Sequence, residues 1–474
     1  MNSINMEAIE IREWESKLLE DGYENLPKKL SKKALQLIDD LSKKDGDFPL
    51  INIAPSENGW KIRAFGAIGT IKLDDVIINI VPRTLYGDPV TDSKCDIQKR
   101  IITLLIYGNG LDISSKYISR AIEDLSPDLC WFDYLSKLYI TQLQAMMRFG
   151  FITDYSCYES DEYLIRGQID FKKLNTRDVS KWVPTPCRFW ELDFNTEENR
   201  LIKFALNKII FFVKNNKIKI DALKIDSMMN EVVSSADHVS NRTNGKKYAR
   251  RNRLYPVVIG LAHLICGRKE TPFIYSKNIS SHNGAVMFNL YGLFESAMTR
   301  LIRDHQNERI INSLPVLTRN NFRAPQKYKM LSSDKKILDK EKVSFRKAKP
   351  DATYENDNTK IIIDFKYKPI TVSEEKPHRI SDADLHQIIT YIGTIPKSSV
   401  LRPQAYLVYP ITNHDWPRDG IFEKWLINKQ SLLGLNEIIC VGINLAKIAD
   451  LIFELINQRD GLNSSIKKLE EINE

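Results

Sequence analysis

The chain has 474 residues, 43% of them apolar and 27% charged, with a formal net charge of +8. That length exceeds one ordinary hydrophobic core, so two or three domains of a soluble globular protein are expected. No run approaches the roughly 18 apolar residues of a membrane-spanning helix, and the mild positive charge permits a nucleic-acid partner without demanding one.

The polar, acidic start MNSINMEAIEIREWESKLLEDG lacks the charged-then-apolar layout of a secretion signal, so a cytoplasmic location is expected. Short runs rich in Ile and aromatics follow at Phe48–Ala54, Trp60–Leu73 and Asp75–Val81 and predict strands. The breaks between them are PSENG and the Asp74–Asp75 pair. Pro82–Ser93 reads as a linker, which closes a β-rich N-terminal domain over residues 1–95.

From Asp96 to Arg268 apolar residues recur at three-and-four spacing, which predicts helices in 97–110, 128–150 and 199–216. Gly108, Gly110 and Gly150 stand at expected C-cap positions. A β-like interruption, YLIRGQIDF (Tyr163–Phe171), separates two of these helices, and LYPVVIGLAHLICG is the last of the group. Residues 96–280 thus form a mainly helical middle region.

Over residues 281–474, VMFNLYGLFESAMTRLIRDHQ reads as one long amphipathic helix. Charged strand-like segments, the strand in TKIIIDFKYK and a helix in SDADLHQIITYIGTI come next. Strands PQAYLVYP and NEIICVGI precede a helical tail from Leu445. Helix, strands, helix, strand is the order of an α/β sandwich with at least one parallel pair, so the chain as a whole is α+β and multidomain. The six cysteines show neither CxxC nor a matching histidine spacing, which makes buried free thiols the expectation and zinc or disulfides improbable. The seven histidines form no HxH, HNH or HExxH arrangement, and His263, inside an apolar helix, reads as a packed core residue.

The chemistry gathers around KPDATYENDNTKIIIDFKYK (Lys349–Lys368). Asp364 and Lys366 sit two apart at the end of an isoleucine strand, so both project from one face while Phe365 points to the other. Charges there cost desolvation unless something compensates. The turn-forming Glu355–Asn358 allows a hairpin that brings Asp351 alongside Asp364. Two converging carboxylates with the Phe365 carbonyl make an oxygen-rich site suited to Mg²⁺ or Mn²⁺. Lys366 would orient or deprotonate the attacking water and offset phosphate charge. In DLHQIITY, Gln387 and Tyr391 share one helix face and can reach phosphate or align the lysine. Glu295, on the preceding helix, interrupts an apolar face as a further acid. A solvated hairpin is the bland alternative for a PD…DxK string by itself.

Together, Pro350–Asp351, Asp364–Lys366 and Gln387–Tyr391 resemble the PD-(D/E)xK nuclease superfamily. Over nearly the whole chain the sequence is similar to the McrC family, the nuclease subunit of the 5-methylcytosine-dependent McrBC restriction system. The segments that carry this are IRAFGAIGTIKLDDVIINIVPR, LQAMMRFGFITDY, LIRGQIDF, NRLIKFALNKI, LYPVVIGLAHLI and FNLYGLFESAMTRLI, joined by KPDATY…IIIDFKYK…ADLHQIITYIG. His386 departs from the pattern, where aromatic residues are more usual.

The resemblance implies a PD-(D/E)xK restriction-endonuclease-like core at 281–474. It also implies a Mg²⁺-dependent endonuclease that cuts double-stranded, modified DNA in complex with a McrB-like hexameric AAA+ GTPase, whose hydrolysis it stimulates. The chain has no GxxxxGK[ST], so it encodes no P-loop nucleotide engine, and no bound nucleotide and no membrane are expected. By resemblance the N-terminal domain enters the partner ring, with Arg63, Lys72 and Arg83 as contacts; for any one of them a solvated sheet-face charge is the favoured reading. The cluster Lys246, Lys247, Arg250, Arg251 and Arg253 reads equally as a DNA-backbone track or a solvated loop. Lys327, Lys329, Lys335, Lys336, Arg346, Lys347 and Lys349, just before Asp351, favour phosphate contact. A self-sufficient type II or repair nuclease of the same superfamily and a non-cleaving regulator of an AAA+ partner are the competing readings.

Overall fold

A computed structural model describes residues 7–19, 31–42, 50–56, 59–74, 76–85, 92–125, 131–232, 252–267, 274–278, 284–304, 322–323, 350–355, 359–368, 380–393, 402–411, 420–426 and 437–473. The chain divides into two units, Met1–Leu135 with Thr271–Glu474, and Ser136–Glu270. These divisions fall elsewhere than the compositional boundaries at 95 and 280. Among the described residues no helix is long and apolar enough to cross a membrane.

The first unit opens with β1 (Glu7–Arg12), β2 (Ser16–Leu19), α1 (Lys32–Ser42), β3 (Ile51–Ser56), β4 (Gly59–Ala64), β5 (Ala67–Leu73) and β6 (Val76–Val81). β2, β4 and β3 form one antiparallel sheet, while β1 runs parallel to β6, which pairs antiparallel with β5. The expected single strand Trp60–Leu73 is two strands of two different sheets, because the chain turns at Phe65–Gly66. β1, whose EAIEIR alternation is masked by its acidic residues, was not anticipated, nor were β2 and α1. Ile9, Ile11, Leu37, Leu41, Ile62, Ile71 and Ile78 build one core between them. The start of the expected linker is packed: Thr84 and Leu85 are buried. Helices α2 (Lys94–Gly108) and α3 (Ser115–Glu123) follow; α4 (Trp131–Met147) starts in this stretch and has most of its length in the second unit. A Ser93–Asp96 capping box satisfies the first amides of α2.

The second unit is less purely helical than its periodicity predicts. It contains β7 (Asp154–Glu162), β8 (Gln168–Ile169), α5 (Phe171–Leu174), β9 (Thr185–Asp193), α6 (Glu197–Phe212), α7 (Asn216–Met228) and α8 (Tyr255–Cys266). β7, β9 and β8 make an antiparallel sheet. In the expected strand Tyr163–Phe171 only Gln168–Ile169 pairs; the polar run DYSCYESDE hid the main strand beside it. Tyr155, Trp190 and Leu192 lie exposed on one sheet face. Tyr255 and Asn199, on α8 and α6, are joined by a 2.6 Å buried hydrogen bond. His263 is buried in α8, as expected.

The first unit resumes with β10 (Ile274–Asn278) and β11 (Gly284–Asn289), which extend the N-terminal sheet to the order β1-β6-β5-β11-β10. Gly69 opposes Met287 in the β5–β11 pair, where a Cβ would stand 2.3 Å from the Val286 carbonyl oxygen, so only glycine fits. The expected helix from Val286 therefore begins later, as α9 (Leu290–Asp304), because Val286–Asn289 complete that strand. A second sheet has the order β12-β13-β14-β15-β17-β16, from β12 (Phe322–Arg323), β13 (Ala352–Glu355), β14 (Thr359–Phe365), β15 (Arg402–Ile411), β16 (Gly420–Leu426) and β17 (Glu437–Asn444). Helix α10 (Asp382–Gly393) connects the parallel pair β14–β15, and α11 (Leu445–Asn473) ends the chain. Parallel strands need such a crossover, and burial on both faces explains their unbroken apolar runs.

Gly110 and Gly150 take left-handed φ values of +71° and +80°, as helix ends require, whereas Gly108 ends α2 itself where α9 presses on it. Of the described cysteines, Cys187, Cys266 and Cys440 are buried, Cys95 is half-buried and Cys157 is exposed on β7. Phe294 on α9 packs edge-on against both Phe365 and Tyr367, with centroids 5.8 and 5.9 Å away. Removing that wedge leaves a cavity under the end of β14. Phe294→Ala is expected to cost about 3–5 kcal/mol and Phe294→Leu under about 1.5 kcal/mol, read as the fall in melting temperature of this unit by scanning calorimetry.

Candidate active site

The site begins with the β13–β14 hairpin. Its register pairs Ala352 with Ile363, so Asp351, one residue before, lies beside Asp364. Asp351 Oδ2 accepts a 2.7 Å hydrogen bond from the Phe365 amide, which ties the hairpin's start to the end of β14. Isoleucines 361–363 bury the strand, and the ladder to β15 continues through the Lys366 amide, which donates to the Val408 carbonyl at 2.8 Å. Strand alternation then separates the side chains. Phe365 and Tyr367 pack on Phe294, while Asp364, Lys366 and Lys368 face α10.

Asp364 and Lys366 are 1% and 2% exposed, and Lys366 Nζ stands 2.7 Å from Asp364 Oδ2. This ammonium is the close partner of Asp364 Oδ2, which among the described residues has no well-aligned hydrogen bond. Burial pulls the Lys366 pKa down, but the charge and contact of Asp364 outweigh it and hold the side chain as an ammonium. Gln387 Oε1 accepts from Lys366 Nζ at 2.8 Å, and Gln387 Nε2 donates to the Tyr391 hydroxyl at 2.5 Å. One turn of α10 thereby aims the lysine from a buried tyrosine. His386 is exposed.

Helix α9 contributes from the opposite side. Ser296 Oγ and Arg300 Nη1 donate to the Gly108 and Tyr107 carbonyls at 2.6 Å each, locking α9 onto the C-terminus of α2. This fixes half-buried Glu295 close enough for its charge to act on Asp351. It also fixes Tyr291, whose hydroxyl is 3.5 Å from Lys366 Nζ, and burial pushes that phenol up to about 12. Tyr291 was not among the expected site residues; its signal is the four-residue step to Glu295 on one helix face. Asp384 was also missed. It accepts from Lys368 Nζ at 2.7 Å and from the Tyr409 hydroxyl at 3.2 Å, clamping the start of α10 to β14 and β15.

The structure thus brings together Asp351, Asp364, Lys366, Gln387, Tyr391 and Glu295. Among the expected basic residues, Arg63 is exposed and stacks on Phe65, Lys72 and Arg83 are partly buried in the first unit, and Arg253 is exposed. Lys246, Lys247, Arg250, Arg251, Lys327, Lys329, Lys335, Lys336, Arg346, Lys347 and Lys349 lie outside the described residues. Among the described residues no three acidic, histidine or cysteine side chains stand together as a preformed metal cage.

Burial, then the charges of Asp364 and Glu295, push the Asp351 carboxyl up to about 9, although the Phe365 amide bond pulls it down. A folded pKa above the unfolded one means that stability is complete below the ordinary carboxylate range and is lost as pH rises toward 9. Asparagine keeps the oxygen that accepts from Phe365 and removes the charge. In chelator, Asp351→Asn is therefore expected to match the parent near pH 4. By pH 8 it should melt about 2–4 °C higher, as roughly 1 kcal/mol would give. Parallel pH-dependent melts that never diverge would contradict this electrostatic picture.

The described geometry coincides with a match of the McrBC 5-methylcytosine restriction system component family to residues 62–410. No curated protein sequence matches the chain. Among solved structures, a chain of the refined half-complex from the tetradecameric assembly of Thermococcus gammatolerans McrB AAA+ hexamers with bound McrC is 15% identical, with a TM-score of 0.59. That match covers 95% of this chain and 99% of the other. A chain of the Thermococcus gammatolerans McrBC complex is 15% identical over 64% of this chain and 89% of that one, with a TM-score of 0.44. The family match spans well over half of the sequence and the elements that build the site, from β5 through α9 and α10 into β15, and the chain belongs to the McrBC 5-methylcytosine restriction system component family.

Proposed function

We propose that this chain is the Mg²⁺-dependent DNA endonuclease subunit of a McrBC-like, modification-dependent restriction complex, with a PD-(D/E)xK core. The observation that carries the reading is the meeting of Asp351, Asp364 and Lys366 at the end of one hairpin, with Gln387 aiming the lysine. A buried carboxylate oxygen with no well-aligned hydrogen bond among the described residues, beside a second carboxyl pushed strongly toward protonation, is a donor set that a small divalent cation satisfies. Mg²⁺ takes one or two carboxylates and completes its shell with water and phosphate oxygens, so a three-residue cage is not required. Asp351, Asp364 and the Phe365 carbonyl would hold it, with Glu295 adding negative charge. The ion would supply Lewis acidity to the phosphate and lower the pKa of bound water.

The chain's own groups do the rest. Lys366 is an ammonium, so it offsets charge on the phosphate; taking a proton from water would first require weakening its pairing with Asp364. Gln387 and Tyr391 hold its Nζ in one place, and Tyr291 and Glu295 close the other side. The partner would be a hexameric AAA+ GTPase of McrB type, which recognises and translocates modified double-stranded DNA in the cytoplasm and whose hydrolysis this chain stimulates. Support comes from the fold match to a chain of a McrB–McrC assembly and from the lack of a P-loop here. The apolar sheet face of Tyr155, Trp190 and Leu192 also suits a protein partner.

The test is plasmid cleavage, methylated and unmethylated, with Mg²⁺, with and without the AAA+ protein and GTP or ATP. Cutting is expected only in the full mixture. Asp364→Ala and Lys366→Ala should lower it by at least about 10³-fold while nucleotide hydrolysis stays stimulated. Cutting by the chain alone would favour a self-sufficient nuclease. Stimulated hydrolysis with no cutting would favour a regulator.

A further inference from the structure

The site has an anchor that the roles above do not use. Tyr367 follows Lys366 directly, is fully buried, and donates its hydroxyl proton to Glu13 Oε1 at 2.7 Å, across 354 positions of sequence. The same oxygen receives the amides of Arg83 at 2.8 Å and Thr84 at 3.1 Å, and lies 3.0 Å from Thr84 Oγ1. Thr84 Oγ1 also contacts the Tyr367 hydroxyl directly, so the threonine's single proton serves either the carboxyl or the tyrosine. Glu13 itself is wholly out of water, and its second oxygen, Oε2, has no hydrogen-bond partner among the described residues. Burial pushes its carboxyl up, against the bonds from Tyr367, Thr84 and Arg83, which pull it down.

The backbone at this corner is strained as well. Trp14, the next residue, has φ +63°, a left-handed conformation that a bulky side chain rarely adopts. Its ring packs against Phe65 and Gly66, and a Cβ on Gly66 would stand 2.9 Å from the indole. The corner joins β1 of one N-terminal sheet to β2 of the other. Such a buried oxygen and a left-handed tryptophan both cost free energy, and a packed apolar joint would avoid both. What the arrangement secures is the hydroxyl of the residue beside the lysine.

We infer that Glu13 is a positioning residue for cleavage: through Tyr367 it fixes the backbone that carries Lys366, and so couples the two N-terminal sheets to the cutting site. Tyr367 is held from three directions, by Glu13, by Thr84 and by Phe294, so Lys366 on the opposite strand face can meet Asp364 and Gln387 in one geometry. A loosened Tyr367 frees the Lys366 amide from the Val408 carbonyl and lets Nζ wander. Misplacement of this size lowers turnover more than binding.

This inference rests on the endonuclease reading for its rate effect but not for its structural one, so two readouts are taken on the complete complex. Glu13→Ala and Tyr367→Phe are expected to lower kcat for DNA cleavage on the order of 10- to 100-fold, with KM and partner stimulation within about twofold. Glu13→Gln, which keeps the accepting oxygen, is expected to retain at least about half the rate. Assays run well below each variant's melting temperature separate misplacement from unfolding. In parallel, amide exchange of the Lys366 N–H is expected to speed about tenfold or more in Glu13→Ala and Tyr367→Phe but not in Glu13→Gln. Unchanged exchange in the first two overturns the inference whatever the complex cuts. Faster exchange with parental kcat, or a loss confined to KM, overturns it too. Faster exchange in a complex whose parent form cuts nothing bears out the coupling and sinks only the endonuclease reading.

Discussion

A lysine and an aspartate kept out of water at the end of a strand are the constraint around which the first unit is arranged. Desolvating both charges costs several kcal/mol per ion, and one 2.7 Å contact returns that only with further partners. Those partners are present and come from separate elements. The hairpin brings Asp351, α10 brings Gln387 from above Tyr391, and α9 brings Tyr291 and Glu295. What remains is acceptor capacity on Asp364 Oδ2, which has no well-aligned hydrogen bond among the described residues. The lysine's demands are thus more nearly met than those of that one carboxylate oxygen.

Chain order explains how such a site is held rigid. β11 pairs with β5 of the N-terminal sheet, and at its end the Leu290 amide donates to the Gly66 carbonyl at 2.9 Å. Helix α9 starts at that bond, so the N-terminal sheet sets the position from which Tyr291 and Glu295 project. α9 is then braced on α2, and α2 on α11, where Arg100 bridges Asp92 and Asp450. The division at Leu135 and Thr271 follows from this: the strands of 274–289 belong with 1–135 because their hydrogen-bond partners are there.

The candidate site was legible in the sequence to the extent that it obeys local rules. Strand alternation put Asp364 and Lys366 on one face, a short turn implied the hairpin to Asp351, and helix spacing put Gln387 with Tyr391. Contacts set only by tertiary packing left weaker traces. Tyr291 and Asp384 look like ordinary polar residues of amphipathic helices until α9 and α10 are docked. The fold was read less evenly. VMFN reads as the start of a helix because its apolar run cannot be told from one by periodicity, and only pairing with β5 makes it a strand. β7 was hidden for the opposite reason: a strand exposed on both faces shows no apolar alternation. Glu13, in a stretch that reads as polar and acidic, gives no sign that it is buried.

Two routes therefore run from the N-terminal sheets to the strand that carries Lys366. One passes through β11 and α9 to Glu295 and Tyr291, the other through Glu13 to Tyr367. One reaches the side of Lys366, the other the side of Tyr367, and Phe294 touches Phe365 and Tyr367 from α9. Packed cores shift between discrete arrangements rather than deforming smoothly. A displacement of the N-terminal sheets thus reaches both residues together. The costly corner at Glu13 and Trp14 lies where the second route crosses from sheet to site.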